Sequence, residues 1–331
     1  MLLIHKKINL TMKKKYLLII FLLFSGCVEH YFLFKISPKG TYEVHYSAHG
    51  DKLDLENPDF PMPKDNNWII NSTINTIEAE SYDYSAKKSF KRNEKFPITF
   101  FKSDSIYFQS LLQHPITIKH SNWFFMEFFS FHGKFKGRLA NDKYPLILDL
   151  IKNKDNKPKN WLHESLSFLL HETLDRTNVE WNAKPIIKNE LNNWIKNELK
   201  SVNDSILYEE LDYYKNWGLD IIMQPISPNL YSDMDSIFKL LEDELRITLD
   251  LDGDDFDFDI ILPGELKETN ADMINGDTLS WNFDITNFID KDYTMIAKSS
   301  IEHPNRKKNV IIIFIIICII VTIKWKRKKY Q

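Results

Sequence analysis

His163-Glu164 and His171-Glu172 are the residues of this chain whose types most readily do chemistry, because imidazoles beside carboxylates are the parts of a metalloprotease site. Spacing decides the matter. A zinc-binding pair sits four residues apart on a helix, so that both rings face one ion. Here the separation is eight residues, about two turns, which puts the rings about 12 Å apart along the axis. Both histidines are expected on a solvated helix face, holding no metal. The acidic run Asp250-Leu251-Asp252-Gly253-Asp254-Asp255 invites a calcium reading. A calcium loop of the helix-loop-helix type needs Gly at position six and Glu at twelve. Counted from Asp250, Gly253 falls at four and Ile261 at twelve, so these carboxylates are read as outward residues of a hairpin. The chain has no G-x-S-x-G elbow and no phosphate-binding glycine loop. No catalytic residue and no cofactor is expected.

The remaining reactive candidate is Cys27. From Met12, taken as the start, the chain runs through Lys13-Lys14-Lys15, an apolar run over 16–24 and Ser25-Gly26-Cys27. These are the charged, apolar and small-residue parts of an export signal, and the apolar run is too short to span a bilayer comfortably. Residues 1–26 are therefore read as an export signal peptide. Ser25-Gly26-Cys27 after Leu23-Phe24 resembles the lipobox of bacterial lipoproteins, departing from it at Phe24, where that family prefers Leu. The resemblance implies that Cys27 is the lipid attachment site, acylated through its thiol and left as the first residue of the mature chain. Cys318 lies inside the C-terminal apolar run, so the domain between is expected to fold without disulfides. With 43% hydrophobic residues, 23 Phe and 8 Trp, it has ample material for an ordinary core.

The C-terminal run over 310–323 is fourteen residues without a charge. At about 1.5 Å per residue it covers roughly 21 Å of a hydrocarbon core about 30 Å thick. Asn309 and Trp325 extend it at the interfaces, flanking lysines can snorkel, and a bilayer can thin. Residues 309–325 are read as a transmembrane helix, with a buried core strand as the alternative. Lys326, Arg327, Lys328 and Lys329 make 326–331 a basic cytoplasmic tail. The chain is thus placed in the cytoplasmic membrane with 27–305 on the extracytoplasmic face and both ends of that domain near one membrane plane.

The elements between the anchors follow from periodicity. Residues 31–36 and 41–46 flank the turn Ser37-Pro38-Lys39-Gly40 and read as a hairpin. Further strands are expected over 66–80, 82–90, 98–107 and 116–136, with no helical period through 152. Between 158 and 245 the apolar residues recur at helical intervals in four segments: 161–174, 186–199 with Pro185 in the first turn, 206–217 and 234–245. From Arg246 alternation returns, giving strands over 246–251 and 256–262 around the turn at Gly253, then a pair joined by Asn275-Gly276. The order of sheet, helices, sheet predicts an α+β domain, mostly antiparallel sheet at both ends with a central block of about four helices. Lysines cluster at the two chain ends, so the formal charge of −3 conceals a more acidic domain, and no basic stripe suits nucleic acid.

WFFMEFFSFHGKFK over 123–136 is the most unusual composition. Read as one strand it is apolar on both faces but for Glu127, which predicts burial on both faces, with an apolar cavity or membrane-facing surface as the alternative. Gly26-Cys27 with the hairpin around Ser37-Pro38-Lys39-Gly40-Thr41 forms one set of motifs. Leu262-Pro263-Gly264, Thr269-Asn270-Ala271 and Asn275-Gly276-Asp277-Thr278-Leu279-Ser280-Trp281, followed by a span and basic tail, form another. Together they resemble lipoproteins of the mycobacterial LppM type, covering about a third of the domain and chiefly its ends. Such proteins tend to have Asp-Gly where this turn has Pro-Lys-Gly. The resemblance implies an α+β ectodomain that accommodates lipid-like molecules and supplies no catalytic residue. The function expected is that of a non-enzymatic envelope lipoprotein, anchored at both ends to the membrane bilayer and binding an apolar ligand or an envelope protein. A structural component of the envelope and a membrane-tethered hydrolase are the alternatives.

Overall fold

The computed structural model describes residues 28–51, 62–63, 66–74, 81–96, 114–153, 158–178, 183–224 and 231–329. The export signal, Cys27 and the strand expected over 98–107 lie outside these residues. Eleven strands are described: β1 (Glu29–Ile36), β2 (Tyr42–Asp51), β3 (Ile69–Ile74), β4 (Ser81–Phe90), β5 (His114–Trp123), β6 (Met126–Phe135), β7 (Asp255–Ile261), β8 (Glu265–Thr269), β9 (Met273–Asn275), β10 (Thr278–Asp284) and β11 (Tyr293–Glu302). The helices are α1 (Ala140–Lys143), α2 (Pro145–Lys152), α3 (Trp161–Arg176), α4 (Ala183–Asn197), α5 (Asp204–Glu209), α6 (Leu211–Met223), α7 (Tyr231–Asp250), α8 (Ile285–Phe288) and α9 (Pro304–Lys329). The molecule is α+β, as expected.

Strict alternation builds a seven-stranded sheet ordered β3-β4-β2-β1-β7-β10-β9 and a four-stranded sheet ordered β5-β6-β11-β8. All pairs are antiparallel except β1 with β7, which joins strands from the two ends of the chain. One face of β1, β2, β5, β6, β7, β10 and β11 carries the core, while β8 and β9 are exposed edge strands. Phe32, Phe34, Phe256, Phe258, Trp281 and Phe283 of the large sheet are buried against Phe129, Phe131 and Phe135 of the small one. Phe131 lies 5.6 Å from Phe34 and 6.0 Å from Trp281 between ring centroids, and Phe135 lies 4.9 Å from Phe283. Tilted and edge-on pairs at these separations add to the area they bury.

The helices fill the connection from β6 to β7. Leu162, Leu166, Leu169, Leu170 and Leu174 form the buried stripe of α3, and Ile187, Leu191, Trp194 and Ile195 that of α4. Trp194 meets Trp217 of α6 at 5.6 Å. The buried Arg138, just after β6, ties this layer to the sandwich. Its Nε donates to Thr248 Oγ1 at 2.9 Å and its Nη2 to the Glu244 carbonyl at 2.9 Å.

Several expectations are corrected. Residues 246–250 continue α7 instead of forming a strand, and Gly253 sits in a helix-to-strand connection. Ile247 and Leu251 are buried, and their four-residue spacing satisfies a helix as well as an alternating strand. α1 and α2 occupy a region whose sequence shows no helical period, and the segment over 206–217 divides at Glu210 into α5 and α6. The aromatic run over 123–136 is two strands and a turn at Phe124-Phe125, with one face buried and the other open. Asp254 is not an outward carboxylate. It is buried, accepts the Val28 N–H at 3.2 Å and faces His30 Nε2 at 3.5 Å, while His30 Nδ1 meets the Tyr46 hydroxyl at 2.8 Å.

Register also places the two ends of the domain. Val28 and Glu29 lie beside Asp254 and Asp255, at the end of the sandwich that carries the helical layer. Glu302 pairs with Met126, and Ser299 Oγ donates to the Pro263 carbonyl at 2.7 Å, beyond the far end of β7. The chain therefore leaves β11 at the opposite end from Val28. Eight residues of β1 separate these ends by about 26 Å. The expectation that both ends lie near one membrane plane holds only for strands running along that plane.

α9 follows β11 after a single residue, and the side chains over 311–321 are exposed, so this run is a helix and not a core strand. Among the described residues no helix is long and apolar enough to cross a membrane.

Candidate functional site

β5 and β6 are antiparallel, and rows run across the small sheet: Lys119, Ser130, Lys298 and Glu268 in one, Ser121 and Phe128 beside the buried Ser300 in the next. Over this face runs a groove of about 740 Å³ with a predominantly apolar lining. Phe128, 41% exposed, contributes its ring, and Lys119, Lys267 and Lys298 its cationic rim. Lys298 Nζ is 2.7 Å from Glu268 Oε2, and Lys267 Nζ is 2.7 Å from Glu265 Oε2. Lys119 has no such partner among the described residues. An apolar trough with ammonium groups at its rim can seat a hydrocarbon chain while the lysines meet an anionic head.

Asn93 closes the β5 side. Its backbone is left-handed, and its side chain brackets the backbone of a single residue: Oδ1 accepts the His120 N–H at 2.8 Å and Nδ2 donates to the His120 carbonyl at 3.2 Å. The His120 ring stacks on Phe129 at 4.5 Å and lies against Gly40 of the β1–β2 turn.

Glu127, the one charged residue within the aromatic stretch 123–131, has a structural reason to be there. It is buried, with Oε2 2.8 Å from His120 Nε2 and Oε1 2.7 Å from His303 Nε2. The hydrogen bond from His303, together with that from His120, holds this carboxyl below its usual range despite the opposing effect of burial. The His303 N–H also donates to the Phe125 carbonyl at 2.8 Å. The β5–β6 hairpin is thus fastened to His303, the residue that joins β11 to α9. At its tip Trp123 and Phe124 are each 66% exposed.

His163, Glu164 and His171 line one side of a second cleft of about 540 Å³. His163 is buried, which corrects the expectation of a solvated helix face. Its Nε2 faces the Val202 carbonyl at 2.8 Å, and Nδ1 makes a close ionic approach of 2.8 Å to Asp204 Oδ1. His171 is half-buried, with Nδ1 2.7 Å from the Ser167 carbonyl and Nε2 2.9 Å from Asn192 Oδ1. Burial raises the Glu164 carboxyl, which accepts the Leu146 N–H at 2.7 Å. Ser167 Oγ donates to the His163 carbonyl in its own helix and is not aimed at an imidazole. His163, Glu164 and His171 join α3 to the segment before α5, to α2 and to α4, and Ser167 is bonded within α3, so among the described residues this cleft shows no nucleophile–base pair.

Sequence reading reached Phe128 and Glu127 through the aromatic run but not Lys119, Lys267 or Lys298. These lysines come from three strands, and only the pairing of those strands brings them together.

No protein-family model matches the chain, and no curated protein matches it. Among solved structures, the folded domain of the LppM protein of Mycobacterium tuberculosis, determined by NMR, aligns over 86% of this chain and 95% of that domain. The TM-score is 0.32 and the identity 9%, a likeness too distant to carry any argument about fold or function.

Proposed function

We propose that this protein is a non-enzymatic envelope lipoprotein that holds an anionic amphiphile, such as a membrane lipid, in the groove on its small sheet. The observation that carries the reading is the groove itself: its accessible lining is mostly carbon, with the Phe128 ring open to it, lysines stand at its rim, and it lies toward the α9 end of the sandwich. In this reading α9 seats its apolar length in the cytoplasmic membrane, with bilayer thinning and lysine snorkelling closing the gap left by about 21 Å of uncharged helix. Cys27 carries a lipid, the ectodomain lies on the extracytoplasmic face and the basic tail reaches the cytoplasm.

Native mass spectrometry of the full chain released from nanodiscs tests this. Wild type is expected to retain one anionic phospholipid through activation that strips loosely held lipid. The double variant Lys119→Glu, Phe128→Asp is expected to lose it while keeping its fold. Equal retention by both proteins would place bound lipid elsewhere, and no retention by either would favour docking of an envelope protein.

A further inference from the structure

The tip of the β5–β6 hairpin exposes Trp123 and Phe124 almost as fully as loop residues, with Phe125 beside them. Three consecutive aromatic rings at a hairpin tip gain nothing from water. Nothing in the sandwich core requires them there, because the buried face of β6 is complete from Glu127 to Phe135. The hairpin has a fixed direction. β6 is antiparallel to β11 along its whole length, so β5 advances toward the tip in the direction in which the chain leaves β11 for α9. The tip is also fixed to the helix by the Phe125 carbonyl on the His303 N–H and by Glu127 on His303 Nε2, with Arg306 Nη1 4.0 Å from the same carboxylate.

We propose that this hairpin tip inserts into the headgroup layer of the membrane that holds α9. The proposal rests on the reading of α9 as a membrane-seated helix. The distances fit. Ile311 is eight residues beyond His303, about 12 Å along a helix. The headgroup layer is about 5–8 Å deep on each side of the hydrocarbon, and an aromatic side chain reaching forward from the level of His303 covers the difference. Tryptophan and its aromatic neighbours suit that depth, where a ring meets acyl carbon and polar headgroups together. Leu266, Met273 and Ile274 are exposed at the same end of the sandwich, whereas Glu29, Asp255 and Asp284 lie side by side at the other. The apolar end is the one from which α9 departs.

The test places the photo-crosslinking residue p-benzoylphenylalanine, one site at a time, at Phe124, at Ile315 of α9 and at Tyr213 of α6 in the full chain in native membranes. Irradiated protein is then weighed for adducts of phospholipid mass. Adducts at 124 and 315 and none at 213 are expected. An adduct at 315 without one at 124, or a protein adduct at 124, overturns the inserted tip and leaves the anchor standing. Loss of the adduct at 315 overturns the anchor reading and the proposal with it.

Discussion

Glu127 illustrates how one side chain couples three elements. Its two oxygens hold His120 of β5 and His303 at the start of α9, and nearly all of it is withdrawn from water. Because the folded protein holds this carboxyl below its ordinary value, its contribution to stability is present in full above the usual carboxylate range, near 4.3, and is lost as pH falls through the lowered value. Glu127→Gln is expected to cost about 2 kcal/mol near neutral pH, the range for a hydrogen bond to a charged group. In thermal melts from pH 7 down to pH 3 the difference in Tm between wild type and variant should shrink in acid. A constant difference would show that the pairing does not depend on the carboxylate charge.

The β1–β2 turn couples elements in a similar way. Gly40 has φ +80°, and a Cβ there would come within 2.2 Å of His120 Nδ1. The ring cannot swing away without leaving Phe129 and Glu127. Gly276, with φ +60°, has open space where a Cβ would stand, with nothing within 4 Å. Alanine at either site carries the left-handed backbone cost of about 1–2 kcal/mol. Gly40→Ala should lose clearly more than Gly276→Ala in urea unfolding, the excess measuring how tightly the turn docks on β5. Equal losses would mean that the turn and β5 give way to each other freely. The turn itself was legible from Ser37-Pro38-Lys39-Gly40, but its contact with a strand some eighty positions later was not.

At the scale of the molecule, the governing fact is that Val28 and the root of α9 lie at opposite ends of the strands. In the proposed reading a lipid would be attached one residue before Val28, which is buried and bonded to Asp254. Both attachments would then meet one bilayer only if the sandwich tilted about the hairpin tip, so that the tip stays at the headgroups while the Val28 end is drawn down. Neutron reflectometry of the full chain on a supported bilayer should therefore give a thinner protein layer for wild type than for a Cys27→Ser variant held by α9 alone. Equal thickness would mean that the lipid at Cys27 does not draw the far end of the domain down.

Local structure was legible in the sequence: alternating strands, the buried stripes of α3 and α4, the turns at Gly40 and Gly276, and the helix that carries His163 and His171. These depend on neighbours within a turn or two, and local patterns carry that information. It was ambiguous at 246–251, where a four-residue spacing serves helix and strand alike, and across 123–136, where two paired strands read as one. Tertiary structure alone decided that Asp254 turns inward to Val28, that Glu127 joins two histidines, and that three lysines share a groove with Phe128. Each of those outcomes depends on which strands pair, above all on β1 beside β7, and pairing across hundreds of residues is set by burying a common aromatic core.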